Sequence, residues 1–164
     1  MVKSGKLSDA SRTNHATRKE YVIALNKKAY HDFEILDKYE AGIVLQGTEV
    51  KSIREHKISM ADSYARVKKG EVWLYNTNIA EYKHGNYSNH EPQRIRKLLL
   101  KKNEIRKLDN KLKDRSLTLV PLKIYFSGPY IKAEIGLAKG KRKFDKREAI
   151  KKAETQKRLK RIKL

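Results

Sequence analysis

The chain has 164 residues, with 40 Lys/Arg against 19 Asp/Glu for a formal net charge of +21, and no cysteine. So large a positive charge points to a polyanion, because each neutralised phosphate releases condensed counterions. The lack of cysteine excludes disulfides and thiolate metal sites and suits a reducing compartment. No apolar run reaches the length of a spanning helix, and the N-terminal stretch has no apolar signal core. A cytoplasmic protein without a membrane partner is expected.

Residues 1–19 carry 5 Lys/Arg against 1 acid and no apolar period, which predicts a disordered basic segment. Asn26–Tyr30 reads as a brief turn. His31–Leu36 reads as a strand with Phe33 and Ile35 on one face. Gly42–Ser52, GIVLQGTEVKS, has the look of a phosphate-binding loop, but Lys51 and Ser52 come three residues late and Glu49 sets a carboxylate where phosphate charge would lie. The stretch instead predicts a strand to Gln46, a turn at Gly47 and a helix Glu49–Arg54 capped by Thr48, with Val50 and Ile53 facing the core. Glu49, Lys51, Ser52 and Arg54 then form an exposed set of donors and acceptors suited to phosphates, ribose hydroxyls and base edges. For Glu49 the alternative is a stabiliser of the helix start, paired with basic neighbours.

Tyr64–Val67 and Glu71–Tyr75 flank a Lys-Lys-Gly turn and predict a hairpin. In the polar loop that follows, Tyr82, His84, Tyr87 and His90 are candidates for stacking on unpaired bases, or the loop is a mobile surface segment. Arg94, Arg96 and Lys97 are candidate phosphate contacts beside the apolar run Leu98–Leu100. Asn103–Leu112 has an Asn cap and places Ile105, Leu108 and Leu112 on one helix face, suited to closing one end of a barrel. Leu117–Phe126 and Tyr130–Leu137 flank a Ser-Gly-Pro turn. The second alternates as a half-buried strand, and Pro121 marks an edge or a bulge in the first. Residues 139–164 hold 13 Lys/Arg against 3 acids. Asp145 as a cap and Ala149, Ile150 and Ala153 as a thin stripe predict a helix formed on RNA.

These elements predict a mainly β fold: a small closed antiparallel barrel of the oligonucleotide-binding type, with a few short helices and a basic tail. A flatter α+β sheet is the alternative. The expected divisions are segment 1–19, barrel 20–138 and tail 139–164. Asp32, Glu34 and Asp37 near His31 alternate along a strand without His-x-x-His-like spacing, so no enzyme activity, metal or cofactor is expected.

The runs Ala24–Lys27, Tyr39–Arg54, Asn89–Pro92, Arg96–Leu100, Ile135–Lys141 and Asp145–Arg147, taken in order and spacing, resemble the bacterial SsrA-binding protein (small protein B) family. The resemblance runs from Ile23 to Arg147. It implies an oligonucleotide-binding barrel that binds the tRNA-like domain of transfer-messenger RNA and accompanies it to stalled ribosomes for trans-translation. It also implies a basic tail lying in the empty mRNA channel beside the rRNA of the decoding centre. Asn26, Glu40 and Leu99 match family positions associated with RNA binding, and His31 lies in the same neighbourhood. A helix cap for Asn26 and a core position for Leu99 are the ordinary alternatives. Asp145-Lys146-Arg147, with Lys139, Lys141 and Lys143, matches the family's decoding tail, although Phe144 stands where histidine is common. The free protein is expected to be a monomer. A structural ribosomal protein or a general basic RNA binder is the competing reading, distinguished by selectivity for transfer-messenger RNA.

Overall fold

The protein is described by a computed structural model covering residues 20–85, 88–141 and 154–155. In chain order the elements are β1 (Glu20–Leu25), α1 (Lys27–Asp32), β2 (Phe33–Ile43), α2 (Gly47–Arg54), β3 (Ile58–Ser59), β4 (Tyr64–Lys68), β5 (Glu71–Tyr75), β6 (Asn78–Ile79), β7 (Arg96–Leu99), α3 (Lys102–Lys111), β8 (Leu117–Ser127) and β9 (Tyr130–Gly140). The strands pair in the order β8–β4–β5–β7–β2–β9, and β9 pairs back to β8, closing an antiparallel ring. Closure satisfies strand edges that a flat sheet would leave open. The expected small barrel is therefore the architecture, and the flatter sheet is not. β1 adds to the second half of β8, while β4 meets its first half at Ala65 and Leu119. β3 and β6 form a separate two-stranded ribbon.

Alternation fills the ring. Ala41, Ala65, Val72, Leu74, Leu98, Leu119, Ile124, Ala133, Ile135 and Leu137 face inward and are buried. Leu108 of α3 enters the same core with Ile105 and Leu112 against it, so the helix closes an end of the barrel as its apolar face predicts. Its boundary differs: Glu104 accepts from the backbone N–H of Lys101 at 3.0 Å, which moves the cap two residues before Asn103.

The two hairpins follow their turn residues. Lys69 and Gly70 have φ of 51° and 73° between β4 and β5, and Gly128 has φ of 61° between β8 and β9. The two short strands expected within 31–46 are instead one continuous β2, with a register shift between Ile35 and Asp37 against β9. Charged residues at 37, 38 and 40 mask the alternation, yet Tyr39, Ala41 and Ile43 remain on the core side.

Pro121 lies at a register shift between β8 and β9, as a proline without an N–H requires. Here α1, longer than the expected turn, covers the outside of the barrel. Ala29, Val120, Leu122 and Ala138 pack together with Phe33 and Ile35. β9 is thus half-buried near its start but covered on both faces near Gly136. A Cβ at Gly136 would come within 3.0 Å of Leu122 Cδ1 and 3.2 Å of Ile35 Cγ2.

Candidate nucleic-acid interface

The structure divides the candidate residues into a buried supporting set and an exposed set. Glu49 is fully buried, not exposed. Its Oε2 accepts from the Gln46 backbone N–H at 2.6 Å, so Gln46 rather than Thr48 caps α2. The same carboxylate accepts from Arg94 Nη2 at 2.7 Å and from Arg96 Nε at 2.8 Å. Arg96 is also fully buried and donates to the carbonyls of Thr77, Pro92 and Arg94. It pairs across the sheet with core-facing Leu74, which fixes it to the inside of the ring. Burial acts to raise the Glu49 carboxyl. The hydrogen bonds from Arg94 and Gln46 and the charges of Arg96 and Arg94 outweigh it, leaving Glu49 below the usual carboxylate value.

The helix-start alternative for Glu49 is therefore the one found, and Arg96 is not available to a phosphate. Ser52 is buried as well, because α2 turns Glu49, Ser52 and Ile53 inward. Thr48, freed from capping, bonds His90 Nδ1 at 2.9 Å. His90 is buried with Nε2 3.0 Å from the Ile79 carbonyl, so it does not present a face to a base. Arg94 is the network's outward member, with its side chain 28% exposed.

Asn26 is also internal. Its Oδ1 accepts from Ala29 N at 3.0 Å, and its Nδ2 donates to the carbonyls of Met60 and Pro121, each at 3.0 Å. Its backbone N–H reaches Leu122 O at 2.8 Å. One side chain thus caps α1 and satisfies carbonyls at the β8 irregularity, which leaves it no exposed group for RNA. His31, on the exposed side of α1, faces Asp32 at 2.9 Å.

Two of the remaining candidates, Glu40 and Leu99, meet on the outside of the ring formed by β7, β2, β9 and β8. Gly42 pairs with Leu99 on one side and Lys132 on the other, and Lys132 pairs with Tyr125. Directly paired residues share a face. Leu99 is 53% exposed and lies over Gly42, whose missing Cβ leaves 3.4 Å to Leu99 Cβ; the core alternative for Leu99 is excluded. Glu40, two residues along β2, shares this face. Its carboxylate accepts from the Tyr125 hydroxyl and from Lys132 Nζ. Burial, then the bond to Glu40, raises the Tyr125 phenol and keeps it a proton donor. Glu40 is thereby a fixed anionic acceptor beside a lysine and an exposed leucine, with Tyr130 62% exposed at the rim. Lys132, Tyr125 and Tyr130 escape sequence reasoning, because only the pairing of β9 with both β2 and β8 gathers them around Glu40 and Gly42.

Lys51 and Arg54 project from α2, with Lys51 Nζ 5.2 Å from the Tyr82 ring centroid; Tyr82 in turn meets His84 edge-on at 5.4 Å. Lys97 points outward from β7 toward Glu71 and Trp73. Lys139 is exposed, and Lys141 is held at the base of the tail, its Nζ donating to Tyr30 O at 3.0 Å. Asp37 pairs with Lys111, and among the described residues no three His, Asp or Glu side chains gather as a metal site. No helix there is long and apolar enough to cross a membrane. Lys143, Asp145, Lys146, Arg147, Tyr87 and segment 1–19 lie outside the described residues.

Fold and site together define a small, strongly basic β-barrel protein whose outer face offers ordered polar groups and exposed apolar side chains to a polyanion. The chain belongs to the SmpB family: the model of that family, described as SmpB protein, matches residues 23–163. It is 59% identical over 131 residues to the SsrA-binding protein of Carboxydothermus hydrogenoformans, covering 80% of this chain and 88% of that one. It is also 59% identical over 140 residues to the SsrA-binding protein of Fervidobacterium nodosum, covering 85% and 94%. A solved structure described as "tmRNA-SmpB: a journey to the center of the bacterial ribosome" is similar with a TM-score of 0.63 at 51% identity, over 77% of this chain and 93% of the other.

Proposed function

We infer that this chain binds the tRNA-like domain of transfer-messenger RNA and carries it to stalled ribosomes for trans-translation. The observation that carries the reading is the 51% identity, over 77% of the chain, to the protein of the tmRNA-SmpB ribosome structure. Binding is the role of the barrel, and the chain itself performs no chemistry. Glu40 accepts from ribose hydroxyls or base amines, Lys132 and Arg94 meet phosphates, and Leu99 with Tyr130 packs against a base. Tyr125 holds the Glu40 carboxylate in place, so the acceptor is preorganised before RNA arrives.

The tail beyond the end of β9, with Lys143, Asp145, Lys146 and Arg147, enters the empty mRNA channel beside the decoding centre, while Lys139 in β9 and Lys141 against Tyr30 stand at its base. A chain with this task acts in the cytoplasm, where ribosomes translate. Barrel residues 20–138 and the tail thus have separate tasks, although the last strand runs on to Gly140. A reconstituted translation reaction stalled on a message without a stop codon tests this: peptide tagging by transfer-messenger RNA should require the chain. Tagging at an unchanged rate without it contradicts the function, and so does recovery of the chain as a stoichiometric component of washed subunits.

A further inference from the structure

The outside of β4 and β5, reaching Lys97 on β7, carries an aromatic and basic face that the site above does not use. Cross-strand pairing sets Tyr64 opposite Tyr75, Arg66 opposite Trp73, and Trp73 opposite Lys97. Their partners in alternation, Ala65, Val72, Leu74 and Leu98, fill the core, so this row points outward. The Tyr64 and Tyr75 rings stack with centroids 5.2 Å apart and planes 6° from parallel. Arg66 Cζ stands 5.1 Å from the Tyr64 centroid and Lys97 Nζ 6.0 Å from that of Trp73. Beside them an open groove of about 330 Å³ is lined by Lys68, Lys69, Glu71, Trp73, Tyr75 and Ile95, the last 48% exposed.

An apolar surface of that kind on a solvated strand pair asks for an occupant. Flat aromatic faces take nucleobases of any sequence, and the lysines at the turn take the phosphates that come with them. An acidic protein would meet the lysines but would reach Trp73 and Tyr75 only where an aromatic or arginine side chain happened to fall, whereas every nucleotide brings a planar base together with its phosphate. We propose that the outer face of β4 and β5, continued onto β7, is a second RNA surface, where an unpaired nucleotide of ribosomal RNA stacks on Trp73 and Tyr75 with its phosphates on Lys68 and Lys69. The ribosomal source rests on the function proposed above. If the Glu40 face holds transfer-messenger RNA, this face, which adjoins it along β7, is left to meet the ribosome.

Trp73 is the only tryptophan of the chain, so its fluorescence reads this site alone. The full chain, first saturated with the tRNA-like domain, is titrated with a short single-stranded RNA and with an abasic strand of equal length. Quenching by the first and not by the second is expected. Equal quenching by both, or none by either, overturns the stacking site. The affinity of the tRNA-like domain, measured before the titration, fails separately if the proposed function is wrong. For the source, a benzophenone side chain placed at Trp73 should crosslink to ribosomal RNA in stalled complexes; adducts only with transfer-messenger RNA or with a ribosomal protein overturn the assignment. Tyr75→Leu, and independently the exposed Lys68→Glu, should each weaken subunit binding by about tenfold while the tRNA-like domain binds as before. Unchanged subunit binding in both variants contradicts the proposal.

Discussion

Glu49 accepts from Arg96 at 2.8 Å with both side chains fully buried, which ties the start of α2 to the inner face of β7. The pair has its remaining donors and acceptors satisfied by Gln46, Arg94 and three carbonyls. Removing Arg96 leaves the buried Glu49 carboxylate with only the outward Arg94 and the Gln46 N–H as partners. Arg96→Met should lower unfolding free energy by about 3–5 kcal/mol in urea denaturation, with a smaller loss for the outward Arg94→Met. A loss under about 1 kcal/mol for Arg96→Met would mean that water reaches the pair.

The same network sets an acid limit. Glu49 is held below its usual value of 4.5 in the folded state, so its contribution is fully present above that value and is lost as pH falls through the lower folded value. Thermal stability from this group should therefore hold from neutral pH down to about 4.5 and drop below it. Arg96→Met should flatten that part of the profile.

Asn26 and Glu40 should part company under mutation. Asn26→Ala removes a cap and two bonds to buried carbonyls, for a loss of about 2–4 kcal/mol, with any RNA effect following the unfolded fraction. Glu40→Gln leaves the core untouched. It should change stability by under about 1 kcal/mol while lowering affinity for the tRNA-like domain in filter binding.

Gly136→Ala should destabilise by about 1–3 kcal/mol, because Leu122 and Ile35 stand within 3.2 Å of the added methyl. Gly47→Ala has nothing within 4 Å and lies at the start of α2, so it should be neutral or stabilise by up to about 1 kcal/mol.

Replacing Lys139, Lys141, Lys146 and Arg147 together by Glu should abolish tagging on stalled ribosomes and largely preserve affinity for the tRNA-like domain. A matching collapse of that affinity would show that barrel and tail do not divide the work.

Strands, hairpins and the closing helix were legible because turn residues and alternation are local signals. The direction of a charged side chain was not. Arg96 looks like a phosphate ligand until its place in the alternation with Leu98 is noticed: if Leu98 faces the core, so does Arg96, and Lys97 and Leu99 face out. The helix face of α2 was misjudged in the same way, since a buried Glu49 is tolerable only when Arg94 and Arg96 come from 45 and 47 residues away to meet it. Asn26 was harder, because its carbonyl partners at Met60 and Pro121 are fixed by tertiary structure alone. Glu40 and Leu99 were reached through family resemblance, and their meeting around Gly42 emerges from the pairing of β2 with β7 and β9.

The most direct measurement is competition between the tRNA-like domain of transfer-messenger RNA and ordinary tRNA for the purified full chain, at salt high enough to suppress non-specific attraction. A clear preference for the tRNA-like domain, reduced by Glu40→Gln, is the predicted result. Equal binding of the two RNAs, falling together as salt rises, would contradict it and leave a general basic RNA binder.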